Sequence, residues 1–235
     1  CAQCCARRSL NSGAPALPTV LSARTIVGTM APGVLTESGA ASERTLLVAG
    51  GHDHPVAASV VRRIDPTALV DSLGTANLVY GEAAAIEPRT DPYIAFSVPA
   101  LGQPGVACLG VFEFAASLAP LQARDAGAAL RAFLAADHAP GEPGTARQIL
   151  QALQHALRRA APSENGFESV DTRTVLEGSS FYARLMLQAV RDIAPTRARI
   201  YSVGGWARSN ALLQLRASVL GEPLVTIDEQ ELTAL

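Results

Sequence analysis

The chain has 235 residues, 49% of them hydrophobic and 17% charged, enough for one large domain, or one domain and part of another, around a buried core. Its 19 basic residues stand against 21 acidic ones, a net charge of -2, which offers neither a basic field for nucleic acid nor a polybasic membrane patch. All 19 are arginine, so Schiff-base lysine chemistry and a P-loop lysine are excluded. No run approaches the roughly 20 apolar residues of a membrane helix, and residues 1–22 lack the apolar centre of a signal peptide, so the cytoplasm is the default expectation.

Taken in chain order, residues 1–22 show no periodicity and read as loop or remnant. They hold Cys1, Cys4 and Cys5, which lack the distal Cys or His pair of a zinc site and read as reduced thiols. Thr25 to Thr36, with Gly28, Pro32 and Gly33, predicts turns. Residues 45–49 predict a strand ending at Gly50-Gly51, and Pro55 to Ile64 a helix, since proline suits a first helical turn. "TALVDSLGTANLVY", 67–80, predicts two short strands broken at Gly74-Thr75.

Further strands are expected at 93–98 and 106–112. Residues 115–161 predict helix, interrupted by the loop "HAPGEPGT", and Thr172 to Ile193 another helix. Then come a strand at 199–203, the turn Gly204-Gly205, a helix over 210–220 capped by Gly221, and a strand at 224–227. Strands alternating with helices make an α/β domain.

Three glycine turns carry the chemistry. Gly50-Gly51-His52-Asp53 leaves the end of a strand, where α/β folds bind ligands. Asp53 there could take a proton from an attacking hydroxyl, or could cap the next helix. Ser72-Leu73-Gly74-Thr75 offers backbone N–H groups and a hydroxyl to a phosphate, or is a plain β-turn. Gly204-Gly205-Trp206-Ala207-Arg208-Ser209-Asn210 could let a flat ligand lie on the glycines, with Ser209 or Asn210 bonding its edge, or is a turn and a cap.

In this order the motifs resemble the FGGY family of carbohydrate kinases. The stretches concerned are "VAGGHDHPVAA", "DSLGTANLVYG", "RTVLEGSSFYAR", "YSVGGWARSNALLQLRASVLGEPLV" and the final "DEQELTAL". The resemblance covers about residues 24–113 and 170–235. It implies an actin-like, ribonuclease-H-like ATPase fold whose two lobes close over a sugar or polyol and ATP, with Mg2+ bridging the phosphates. By the same resemblance Asp53 is the general base, and Gly74 and Thr75 hold the ATP phosphates. Gly204 and Gly205 lie under the adenosine, and Ser209 contacts the nucleotide. His52 and His54 flank Asp53, and either could touch a sugar hydroxyl, His52 being the candidate substrate contact, although the family motif often has other residues there.

The Asp-x-Gly-Thr turn that opens the family's first lobe is missing before Asp53. Residues 1–45 are therefore expected to be a remnant of that lobe and 46–235 the carboxyl-terminal nucleotide-binding lobe. Such a chain is expected to have little kinase activity alone, or to bind nucleotide without catalysis; a homodimer stays open. A rival reading is a metal-dependent hydrolase with His52 and His54 as ligands, joined by His138 or His155, although its usual His-x-His-x-Asp-His pattern is absent.

Overall fold

The computed structural model describes residues 21, 24–85, 94–99, 104–118, 121, 124–158, 171–194 and 199–227. Cys1, Cys4, Cys5 and the final "DEQELTAL" lie outside them. A small antiparallel ribbon comes first, β1 (Ile26–Thr29) against β2 (Leu46–Val48), with the short helix α1 (Val34–Glu37) between its strands. Turns alone were expected over 25–36; β1 forms because the β-branched Ile26 pairs with Val48, and Gly28 and Thr29 pair with Leu47 and Leu46 beyond a register shift at Val27. Both ribbon strands are exposed along their whole length.

The main sheet has six strands, β3 (Leu69–Leu73), β4 (Asn77–Ala83), β5 (Ile94–Ser97), β6 (Val106–Phe112), β7 (Ile200–Val203) and β8 (Leu224–Thr226). Their order is β5-β6-β4-β3-β7-β8. The first four form antiparallel pairs; β7 and β8 then add to β3 in parallel. Helices α2 (Asp53–Ile64), α3 (Phe114–Ser117), α4 (Arg124–Ala135), α5 (Ala146–Arg158), α6 (Thr172–Ile193) and α7 (Asn210–Leu220) complete the fold. The helical stretch expected at 115–161 is thus three helices, and the "HAPGEPGT" loop separates the last two.

Side chains alternate across a strand, so the sheet buries two different faces. Leu69 of β3, Val79 of β4 and Cys108 of β6 face a core shared with Val175, Met186 and Val190 of α6 and Leu212 and Leu215 of α7. Val70, Leu78, Tyr80 and Leu109 face the opposite way, against Ala57, Ala58 and Val61 of α2. The same alternation sends the Asp71 side chain toward α7 and the Ser72 side chain toward α2.

Gly221 ends α7 in the left-handed conformation, φ 75°, as a glycine after a helix is expected to do. No described helix is long and apolar enough to cross a membrane.

Candidate functional site

Asp53 occupies the first turn of α2, and the helix begins two residues before Pro55. His52 is the N-cap residue and makes no side-chain cap bond. The capping role open to Asp53 for a helix starting at Pro55 is therefore not the one it plays. Its Oδ1 accepts from the His54 backbone N–H at 2.8 Å and lies 2.7 Å from His52 Nδ1. The carboxylate is 65% exposed. A carboxylate at a helix N-terminus lies where the exposed N–H groups and the helix dipole favour an acidic residue.

His54 ties this helix start to the second glycine turn. Its Nδ1 is 3.1 Å from Ser72 Oγ, and its ring packs beside Gly74. The His52 and His54 rings stack with centroids 5.7 Å apart. In the turn itself, the Gly74 N–H donates to the Ala76 carbonyl at 3.0 Å. The Ala115 N–H, at the start of α3, donates to the Thr75 carbonyl at 2.9 Å. Thr75 is exposed, leaving its hydroxyl available to a ligand.

The third turn is pressed against the second. Gly204 has φ +96°, and a β-carbon there would stand 2.5 Å from the Leu73 carbonyl oxygen, so only glycine fits. A short 3-10 turn, Gly205–Arg208, comes next, in which a β-carbon on Gly205 would meet nothing within 4 Å. Open space over that glycine is what a flat ligand requires. Trp206 packs edge-on against Phe114, centroids 5.4 Å apart, and so pins the turn to α3. Ser209 is the N-cap of α7, its Oγ accepting from Leu212 N–H at 3.2 Å, which leaves its own proton to donate.

The Arg-x-x-x-Glu-Gly motif on α6 has a local physical account. Glu177 Oε2 accepts from the Gly144 N–H at 2.8 Å, and Arg173 bonds Glu177 at 3.0 Å and the Ala139 carbonyl at 3.1 Å. Gly178 admits α5: a β-carbon there would lie 2.7 Å from Ala152 Cβ. The motif clamps the loop before α5 onto α6.

A buried polar cluster that no motif announced lies beneath the turns. Arg216 of α7 donates to Asp71 of β3 through Nε at 2.5 Å and Nη2 at 2.7 Å, with their side chains 0% and 3% exposed. Arg216 also donates to Asn77 Oδ1 at 2.5 Å. A signal did exist: an acid inside "LVDSL" and an arginine inside "LLQLRASVL" are charges at apolar positions.

The rival metal site fares differently. Among the described residues no group of three His, Cys, Asp or Glu side chains could hold a metal ion. His138 instead lies 3.1 Å from Gln214 of α7, and the His155 side chain is outside the described residues.

The mixed sheet with helices on both faces has the actin-like ATPase fold. The sequence profile of the FGGY family of carbohydrate kinases, C-terminal domain, matches residues 111–235. The chain belongs to the FGGY family of carbohydrate kinases. Among solved structures, it is similar to a xylulose kinase from Rhodospirillum rubrum, 17% identical with a TM-score of 0.58 over 92% of this chain and 46% of that one. A xylulose kinase from Bifidobacterium adolescentis is 20% identical, TM-score 0.54, covering 92% and 44%. Plasmodium falciparum glycerol kinase with ADP is 11% identical, TM-score 0.55, covering 91% and 44%. At these identities the likeness is one of fold. The chain spans about half the length of these kinases, 44–46%. No curated protein sequence matches it.

Proposed function

We propose that this chain is the nucleotide-binding part of an ATP-dependent carbohydrate kinase acting on a ketose or polyol. Residues 46–235 form the carboxyl-terminal lobe in this reading and residues 1–45 a remnant of the lobe before it, so the ribbon of β1 and β2 spans the junction at residue 45. Asp53 is the general base: the sugar hydroxyl oxygen bonds to the γ-phosphorus, the bond from that phosphorus to the β-phosphate bridging oxygen breaks, ADP leaves, and the hydroxyl proton passes to the carboxylate. Gly74 and Thr75 hold the phosphates, Gly204 and Gly205 the adenosine, Ser209 its edge, and His52 orients Asp53 and reaches the sugar.

The observation that carries this reading is the adjacency of the three turns. His54 joins the Asp53 helix to Ser72, and Gly204 packs on Leu73, one residue before Gly74. The helix that begins with an exposed carboxylate thus meets the ends of the two central strands β3 and β7, whose turns carry an exposed hydroxyl and an open glycine.

Mg2+ stays largely hydrated and takes one or two carboxylates plus phosphate oxygens, which it would neutralise when bound. Glu113, exposed and two residues before Ala115, whose N–H bonds the Thr75 carbonyl, is a donor of that kind at the margin of the phosphate turn.

A second reading is a lobe that binds nucleotide without transferring phosphate by itself. It is favoured by the openness around Asp53: the carboxylate is 65% exposed, where a kinase must exclude water from the reacting phosphate. Calorimetric titration of ATP, with and without a pentulose, hexulose or polyol, paired with an assay for sugar phosphate, separates the two. Binding with transfer supports the first reading and binding alone the second, whereas absence of ATP binding removes both.

A further inference from the structure

We infer that Arg216, Asp71 and Asn77 are positioning residues that hold the Gly74–Thr75 turn in its ligand-ready shape from behind the sheet. The inference rests on the nucleotide-site reading for its purpose, though its geometry stands apart from it.

The three residues come from three elements that meet under the turn: Asp71 from β3, Asn77 from the first position of β4, Arg216 from α7. Asp71 and Asn77 flank the turn, and Arg216 bridges them, giving two hydrogen bonds to the carboxylate and one, 2.5 Å long, to Asn77 Oδ1. A guanidinium presents its donors in a rigid fork, so one group can fix two acceptors at a set separation. Asn77 then closes the hairpin, Nδ2 donating to Asp71 Oδ1 at 2.8 Å and to the Ser72 carbonyl at 3.1 Å. Ser202 of the neighbouring strand β7 adds a long bond, 3.4 Å, to Asp71 Oδ2.

From Ser72 the connection continues, because its Oγ meets His54 Nδ1 at 3.1 Å. A line of polar contacts therefore runs from α7, which starts at the adenosine turn, through the phosphate turn to the helix that begins with Asp53. Arg216, Asn77 and Asp71 are 0%, 0% and 2% exposed. Arg216 Nη1 is buried without a partner among the described residues. A buried ion pair with an unsatisfied nitrogen is a poor way to make a core stable, and apolar residues of similar volume often do better. The arrangement is better explained by what it holds in place than by stability.

The test uses the double variant Asp71→Leu/Arg216→Met, which removes both charges and leaves no buried ion unpaired. We expect it to melt near the wild type, while the Gly74 and Ala115 amides, whose acceptors lie in the turn, exchange with solvent about tenfold faster or more. ATP affinity is expected to fall about tenfold with adenosine affinity unchanged, since only the phosphates need the turn. Wild-type exchange rates at Gly74 and Ala115 in the folded double variant would overturn the positioning role. If the double variant fails to fold, Asn77→Ser leaves the Arg216–Asp71 pair whole and cuts the link to Ser72, and the same exchange measurement decides. Should the wild type bind neither ATP nor adenosine while exchange quickens as expected, the nucleotide reading fails and the positioning of the turn stands.

Discussion

Gly204 lies directly against the backbone of Leu73: a β-carbon on it would stand 2.5 Å from the Leu73 carbonyl oxygen and 2.9 Å from the carbonyl carbon, at a φ of +96°. The ends of two parallel strands are thereby brought close enough for their loops to act as one surface. Gly204→Ala is expected to lower stability by about 2–3 kcal/mol through strain and overpacking, read as a shift in the urea midpoint. A midpoint equal to the wild type would mean that the two loops are not held together there.

Thr75 contributes little to packing because it is exposed. Thr75→Ala is expected to leave stability within about 0.5 kcal/mol. ATP affinity, by contrast, should fall about tenfold to a hundredfold, the loss of one hydrogen bond to a charged group. Adenosine, lacking phosphates, should bind both forms alike, and calorimetry with the two ligands checks this.

Asp53→Asn keeps the shape of the helix start but removes the proton acceptor. Phosphoryl transfer to the sugar is expected to drop by about 10²–10⁴. The ATP dissociation constant should stay within about twofold, since the carboxylate is assigned to chemistry rather than to nucleotide affinity. Transfer at the wild-type rate would place the base elsewhere.

Glu222 gives a pH prediction outside the site. Hydrogen bonds from Arg191 hold its carboxyl below the ordinary carboxylate value, with the charges of Arg191 and Arg184 adding to the effect. A depressed folded-state value means stability that is present above the unfolded pKa and lost as pH falls through the folded one. Glu222 is 36% exposed, so solvent screening limits the pair to about 0.5 kcal/mol. Glu222→Gln should melt slightly below wild type at pH 7, and the gap should close as pH drops below 4.5, the ordinary value. A gap that widens on acidification would contradict the pairing.

Much of the fold was legible because its signals are local. An apolar run, two glycines and a helix pattern name a strand, a loop and a helix without tertiary information, and the turns at Gly74 and Gly204 fall where the strands end. The start of α2 was less legible: proline marks a first turn but does not say how many residues precede it, and the chain enters the helix at Asp53. β1 was not legible at all, since its glycine and neighbouring prolines imitate a loop and its partner strand lies 17 residues on, from Thr29 to Leu46.

The polar cluster was hidden for another reason. Asp71 and Arg216 are 145 residues apart, and only the crossover from β3 to β7 and back along α7 brings them together. A pattern search along the chain sees two isolated charges. Their pairing is a property of the strand order.

The exposure of the leading ribbon has a practical bearing. Ile26, Val27, Val34, Leu35, Leu46 and Val48 each leave half or more of their surface in water, and none belongs to either core. Two strands without a packed face add little to the endurance of the rest and invite self-association. A shortened protein beginning at Gly50 should therefore keep its melting point while tolerating higher concentration before it clouds.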